Sequence, residues 1–344
     1  MPNSEFSGCR WAVVLLVMAA ASPSWAAPIE QSDTPLPADC DGLKKLSLPL
    51  EDAPPASMAS SLKGCSSEDL YFGIGVPKDP VRARQCAYVE RQDPDNGWPN
   101  LFAGTGMLMT IYANGIGAPR NFDIAMKFAC ELGGAPAEEE GWLAHLQKLK
   151  NENWQGQDFS PCDDITSGAA MGFCEAHGAK LASAARKAKL ADITAHWPSA
   201  ERKAFAALEK AKNTYAAAVA DNEVDMSGTA RGALSIAARE AEDEQFLATL
   251  EKVISGNLPS VSPPDLAETD NKLNALYSKI QKKKDTSDWG TVTKAGIKKT
   301  ERTWLIYRDA FVSFAKRNFP SVAPESLKRV LTEDRIKSLE NFGN

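Results

Sequence analysis

From about residue 60 onward the apolar positions recur at helical spacing. No period-two run bounded by turn residues occurs, so the chain is expected to be all-α. Phe205, Leu208, Tyr215 and Val219 follow one another at three, seven and four residues, and a second long helix is read through Leu234, Ala238, Ala241, Leu250 and Val253. Trp197-Pro198 separates the first of these helices from the preceding one. Gly256 ends the last, and "NLPSVSPPDLAE" (257–268) reads as a Pro-rich linker. Beyond it the pattern predicts a helix over 269–284, a loop at Trp289-Gly290, and a long helix over 293–318 capped by Thr293 and stopped by Pro320. Short helices near 324–331 and 333–342 complete the reading. The architecture expected is a short helical-repeat region followed by one or two antiparallel helical bundle modules.

The first residues carry a different pattern. "WAVVLLVMAAA" follows Arg10 and precedes Ser24-Trp25-Ala26, the layout of a secretory signal peptide over 1–26 with cleavage after Ala26. Eleven apolar residues are too few for a membrane-spanning helix, so no stable membrane insertion is expected after cleavage. Residues 27–60 form a Pro-, Asp- and Ser-rich leader tied down at Cys40. Two stretches then match at a spacing of 42 residues, "GIGVPKDPVRARQCA" from Gly73 and "GIGAPRNFDIAMKFA" from Gly115. Gly73, Gly75, Gly115 and Gly117 are read as repeat turns, supplying positive φ and close helix approach. The expected segments are a repeat region at 61–150, a helical domain at 160–256, the linker, and a last domain at 269–344.

Export would make the cysteines disulfide formers, and six of them follow Cys9. Cys162 and Cys174 are paired by closeness. The competing reading, a zinc site from Cys162, Cys174 and His177, lacks a fourth ligand at a familiar spacing. The net charge of −6 is unevenly spread. From Asp265 to the end there are 16 basic and 11 acidic residues, a net of +5, leaving −11 for 27–264. The Lys282-Lys283-Lys284 run reads as a solvated helix end, and no nucleic-acid partner is expected.

The most distinctive stretch is "KKTERTWLIYRDAFVSFAKR", 298–317. On a helix Arg308 shares a stripe with Trp304 and Phe311, while Asp309 faces Leu305 on the next flank. Neighbouring residues do not face each other, so each charge is expected to find its partner on another helix: Glu301 or Asp270 for Arg308, Arg335 for Asp309. The pair is read as a cross-helix lock, with a contact to a binding partner as the alternative.

"YANGIGAPRNFDIAMKFACELGGAPAE" resembles the Sel-one-like repeats, relatives of the tetratricopeptide repeat, with Tyr112, Gly115, Gly117 and Ala125 at the family's positions; in the first copy Leu70 stands at the tyrosine. Two repeats are fewer than a free-standing solenoid needs, which implies stapling or packing against a neighbour. Cys65 is paired with Cys86 on that basis, and Cys40 and Cys130 stay unassigned. The last module resembles the LprI-type lysozyme-inhibitor domain family through Leu273, Asn274 and Tyr277, then Trp304, Tyr307, Arg308 and Asp309, then Thr332, Arg335 and Leu339, with Glu301 replacing the family's Gln. The family's cysteines are absent from this module. Lys180-Leu181 and Trp197 align with Lys272-Leu273 and Trp289 at a shift of 92, and Tyr215 with Trp304 at 89, so a degenerate second copy in the middle segment is one reading and an unrelated helical domain the other.

No catalytic pattern accompanies these features. His145, His177 and His196 stand in separate segments, and no HExxH, Gly-x-Ser-x-Gly or phosphate loop occurs. Glu138-Glu139-Glu140 and Asp163-Asp164 read as solvated helix starts. The chain is therefore expected to be a non-enzymatic, periplasmic or secreted binding protein without cofactor or metal. The resemblance implies a lysozyme-type glycan hydrolase as its protein partner, and the alternative is an envelope adaptor that binds proteins through its repeats.

Overall fold

The structure, a computed structural model, describes residues 40–92 and 100–343, so the expected signal peptide and the leader before Cys40 lie outside the described residues. Among these there are twelve α-helices and no strand, and the fold is all-α.

The repeat region owes its shape to local signals. Helix α2 (Ser67–Phe72) is capped by Ser66 and closed by Gly73 at φ 78°. Helix α3 (Pro80–Glu90) starts with proline at its first turn and Asp79 as its cap. Helix α4 (Gly104–Asn114) closes at Gly115, φ 66°, and α5 (Phe122–Leu132) is capped by Asn121. The two copies make equivalent hydrogen bonds 42 residues apart: Asp79 N–H donates to the Leu70 carbonyl at 2.9 Å, and Asn121 N–H to the Tyr112 carbonyl at 3.0 Å. Gly117, at φ 92°, lies so close to the other copy that a Cβ there would stand 2.3 Å from the Pro80 carbonyl oxygen.

From Cys40 onward the leader is more structured than its composition implies. Helix α1 (Cys40–Lys44) packs on α5, where Cys40 and Cys130 form a disulfide, and Lys127 donates to the Lys44 carbonyl. Buried Asp52 meets Arg84 at 2.9 Å and accepts from the Tyr112 hydroxyl at 2.7 Å. Such a paired and hydrogen-bonded carboxylate holds the segment down where no apolar period does. Cys65 is bonded to Cys86 and Cys162 to Cys174.

Helix α6 (Pro136–Asn151) follows the repeats, with Trp142 buried and donating to the Pro161 carbonyl at 2.8 Å. The 27-residue α7 (Gly168–Thr194) then runs on for about 40 Å. Its first turns join a core built from Leu43 to Ala170, and Leu190 near its end packs against a second core.

That second core runs through α8 (Ser199–Asn222), α9 (Arg231–Ser255), α10 (Pro263–Lys282), α11 (Lys294–Asn318) and α12 (Pro324–Gly343). Phe205, Tyr215 and Phe246 share it with Leu273, Trp304 and Phe342, so residues 257–268 do not separate two cores. The expected linker is also shorter. Ser262 and Asp265 form a capping box, and Pro263 opens α10 at a position where its missing N–H costs nothing. Two short C-terminal helices are replaced by one continuous α12, whose mid-helix Thr332 is fully buried. On α9 the buried stripe is Phe246, Leu250 and Val253, whereas Leu234 and Ala241 are exposed.

The second core has internal symmetry. Helix α7 packs on α9 and α10 on α12, while α8 and α11, the middle helix of each trio, make the most extensive contact in the fold. They run antiparallel: Phe205 meets Phe314 with ring centroids 5.7 Å apart, and Thr300 donates to the Ala218 carbonyl at 3.0 Å. Between them Tyr215 stacks on Tyr307, centroids 5.4 Å apart and planes within 9°. These tyrosines are 92 residues apart, the shift that relates Trp197 to Trp289, so they mark an approximate twofold between two three-helix units. The alignment of Tyr215 with Trp304 at 89 gives way to this single shift.

Candidate functional site

Helices α10 and α11 belong to one trio but do not pack tightly side by side, and the gap between them is a cavity of about 360 Å³. Leu273, Asn274 and Tyr277 line it from α10, and Trp304, Leu305 and Arg308 from α11. Leu273 and Tyr277, like Trp304 and Arg308, are four residues apart and share a face by helical geometry, and exposed Asn274 and Leu305 flank them. Asp270, Lys298, Glu301 and Arg302 complete the walls. Leu273 and Trp304 form a buried floor, while Asn274, Lys298 and Arg302 are exposed.

The charges are arranged differently from the sequence expectation. Arg308 pairs with its own neighbour, Nη2 to Asp309 Oδ1 at 3.2 Å, and lies over the Trp304 ring at 5.1 Å. Glu301 and Asp270 are not its ion-pair partners, and Asp309, 65% exposed, does not reach Arg335. The rule that adjacent residues diverge governs Cβ directions. A guanidinium laid along a tryptophan is long enough to turn back to the next carboxylate.

The lock is Arg335. Wholly buried, it donates from Nε to Glu301 at 2.9 Å and forms a fork to Glu223, Nη1 at 2.9 Å and Nη2 at 2.6 Å. Glu223 follows the last turn of α8, outside every apolar repeat, and only its place after a predicted helix end could have drawn notice. The remaining signature residues divide. Tyr307 faces α8 at the pseudo-dyad, and Thr332 touches Asp270 at 3.5 Å behind the cavity.

Beside this knot lies Glu242, which accepts from the Tyr215 hydroxyl at 3.2 Å. Burial pushes its carboxyl up to about 7, against the pull of the Tyr215 hydrogen bond and of Arg335. Between the ordinary carboxyl value and 7 the native state holds a proton that the unfolded chain has released, so stability falls as pH rises through this window. Glu242→Gln is expected to gain on the order of 2–3 kcal/mol at pH 8 relative to the parent, with no gain at pH 4. Urea melts of both proteins across that range measure the difference; parallel pH profiles would contradict it.

The histidines lie elsewhere. His177 Nδ1 is 2.7 Å from buried Glu68 and stacks on Phe102, and His145 Nδ1 is 2.8 Å from Asp164. Cys162 and Cys174 are consumed by their disulfide, which removes both thiolates of the zinc alternative. Among the described residues no group of three or more His, Cys, Asp or Glu could hold a metal ion. Glu138 is buried rather than solvated and accepts from the Thr166 and Ser167 amides at 3.0 and 2.6 Å. The repeat turn at Gly73 and Gly75 borders a second groove of about 1080 Å³, whose other wall is the alanine-rich middle of α7.

No family model, curated protein or solved structure matches this chain.

Proposed function

We propose that this protein is an exported, non-enzymatic binding protein of the periplasm or extracellular space, and that the α10–α11 groove is its contact site. The observation that carries the reading is the convergence of Asn274, Tyr277, Trp304 and Arg308 from two helices on one cavity, with a rigid bundle core behind it. The three disulfides support export, because such bonds persist in oxidising compartments. Among the described residues no helix is long and apolar enough to cross a membrane.

The resemblance of the last module to LprI-type domains supports a lysozyme-like hydrolase as partner. Such an inhibitor would plug a cleft whose chemistry rests on two carboxylates. A lysozyme clearing assay with the purified protein, repeated at high salt, tests this: salt-sensitive inhibition that disappears in Arg302→Ala/Arg308→Ala supports it, and unchanged clearing removes it. The adaptor reading has its own observation, the larger groove between the Gly73–Pro77 turn and α7. Crosslinks that map to Val76 and Leu181 rather than to α10 and α11 would favour that surface.

A further inference from the structure

We propose that the α10–α11 groove takes a short acidic stretch of peptide, with its carboxylates on Arg302, Arg308 and Lys298 and its backbone amides on Asp270. This rests on the reading of the chain as a binding protein and adds the chemistry of what is bound. Arg302 and Lys298 are exposed on the cavity wall and make no hydrogen bond or ion pair among the described residues. Arg308 lies over the Trp304 ring and its one ion pair is with exposed Asp309, a solvent-side pair that an incoming carboxylate displaces at little cost. The Asn274 amide and the Tyr277 hydroxyl are likewise without partners there. The cavity, about 360 Å³, is at the small end of ligand sites and has room for roughly two or three residues of a linear segment, whose flanking residues would run along the exposed rim formed by Lys298 and Arg302.

The symmetric unit serves as an internal control. At the shift of 92, Asn274, Tyr277, Lys298 and Arg308 correspond to Ala182, Ala185, Ala206 and Ala216. The first unit folds into the same trio with alanine at all four places, so the three-helix packing does not require these groove side chains. They are available for a ligand.

Charge selects the ligand class. The part of the chain from Asp265 onward carries +5, which steers anions towards the groove and basic surfaces away from it. A dense polyphosphate fits poorly, because Asp270 and Glu301 line the same cavity and would repel closely spaced phosphates. A peptide supplies separated carboxylates for the three cations together with N–H donors for Asp270.

The test is fluorescence anisotropy with a fluorescein-labelled hexapeptide of alternating glutamate and leucine, added to the full chain with disulfides intact. Saturable binding is expected, weakening at least tenfold in Arg302→Ala/Arg308→Ala and unmoved by Lys210→Ala, the counterpart of Arg302 in the first unit. Arg302→Lys, which keeps the charge, should retain most of the affinity. Thermal melts establish that these variants are folded. The proposal is overturned if the parent protein does not bind, if the double variant binds as well as the parent, if the glutamine version of the peptide binds equally, or if single-stranded DNA of matched charge displaces the peptide. Should the peptide fail while the double variant still loses envelope crosslinking or lysozyme inhibition, the groove stands as the contact site and its acidic ligand falls. Should none of the three respond to the double variant, the contact site itself lies elsewhere.

Discussion

Replacing Arg335 with alanine is expected to destabilise the second core by about 3–5 kcal/mol, because it leaves Glu223 and Glu301 in the interior without their cation. The size follows from burial. Arg335 has no exposed surface and the Glu223 side chain only 3%, so water cannot replace the lost partner. Replacing Arg335, Glu223 and Glu301 together by Met, Leu and Leu should recover most of the loss, since the cost lies in an uncompensated charge rather than in the absence of a bridge. Arg308→Ala should cost under about 1 kcal/mol, as its pair with Asp309 is solvent-exposed and its contact with Trp304 is a modest cation–π interaction. Urea titrations of the three variants give the order directly. A larger loss for Arg308→Ala than for Arg335→Ala would place the lock at Arg308 after all.

The second large effect is expected at Cys40–Cys130. This disulfide closes a loop of 90 residues, and the chain-entropy relation assigns it about 4.5 kcal/mol, against about 3 kcal/mol for the 21-residue loop of Cys65–Cys86. The local structure argues the same way, since α1 is only five residues long and cannot persist as an isolated helix. The double replacement Cys40→Ser/Cys130→Ser should lower the stability of the first core by several kcal/mol, on the order of that estimate. It should also expose the chain near Lys44 and Lys45 to trypsin, while the bond after Glu51, beside Asp52, stays protected from a glutamate-specific protease by the hold of Arg84 and Tyr112 on Asp52. Protease mapping and thermal melts check both parts. An unchanged melt, or first cleavage around Asp52 instead, would show that the disulfide is not what holds α1.

The groove and its neighbourhood show how far the sequence could be read. Helical periodicity placed Leu273, Asn274 and Tyr277 on one helix and Trp304 and Arg308 on another. The structure brings the two sets to one cavity, a juxtaposition that depends on how α10 and α11 pack. The same periodicity misjudged Arg308, because a rule about where Cβ atoms point does not limit where a seven-atom side chain ends. It could not have found Glu223, whose role exists only once the end of α8 is brought beside α12.

What the chain determined by itself is what short-range forces decide. The all-helical class, the glycine turns at positive φ, the caps at Asp79, Asn121 and Thr293, and the nearby cysteine pairs all follow from residues within a turn or a short loop of one another. Tertiary structure decided the bond from Cys40 to Cys130, the burial of Asp52, the fusion of two expected modules into one core, and the stacking of Tyr215 on Tyr307. The reason is physical. Each of these joins groups far apart in the chain, and their pairing depends on which surfaces are left to bury after the local elements have formed.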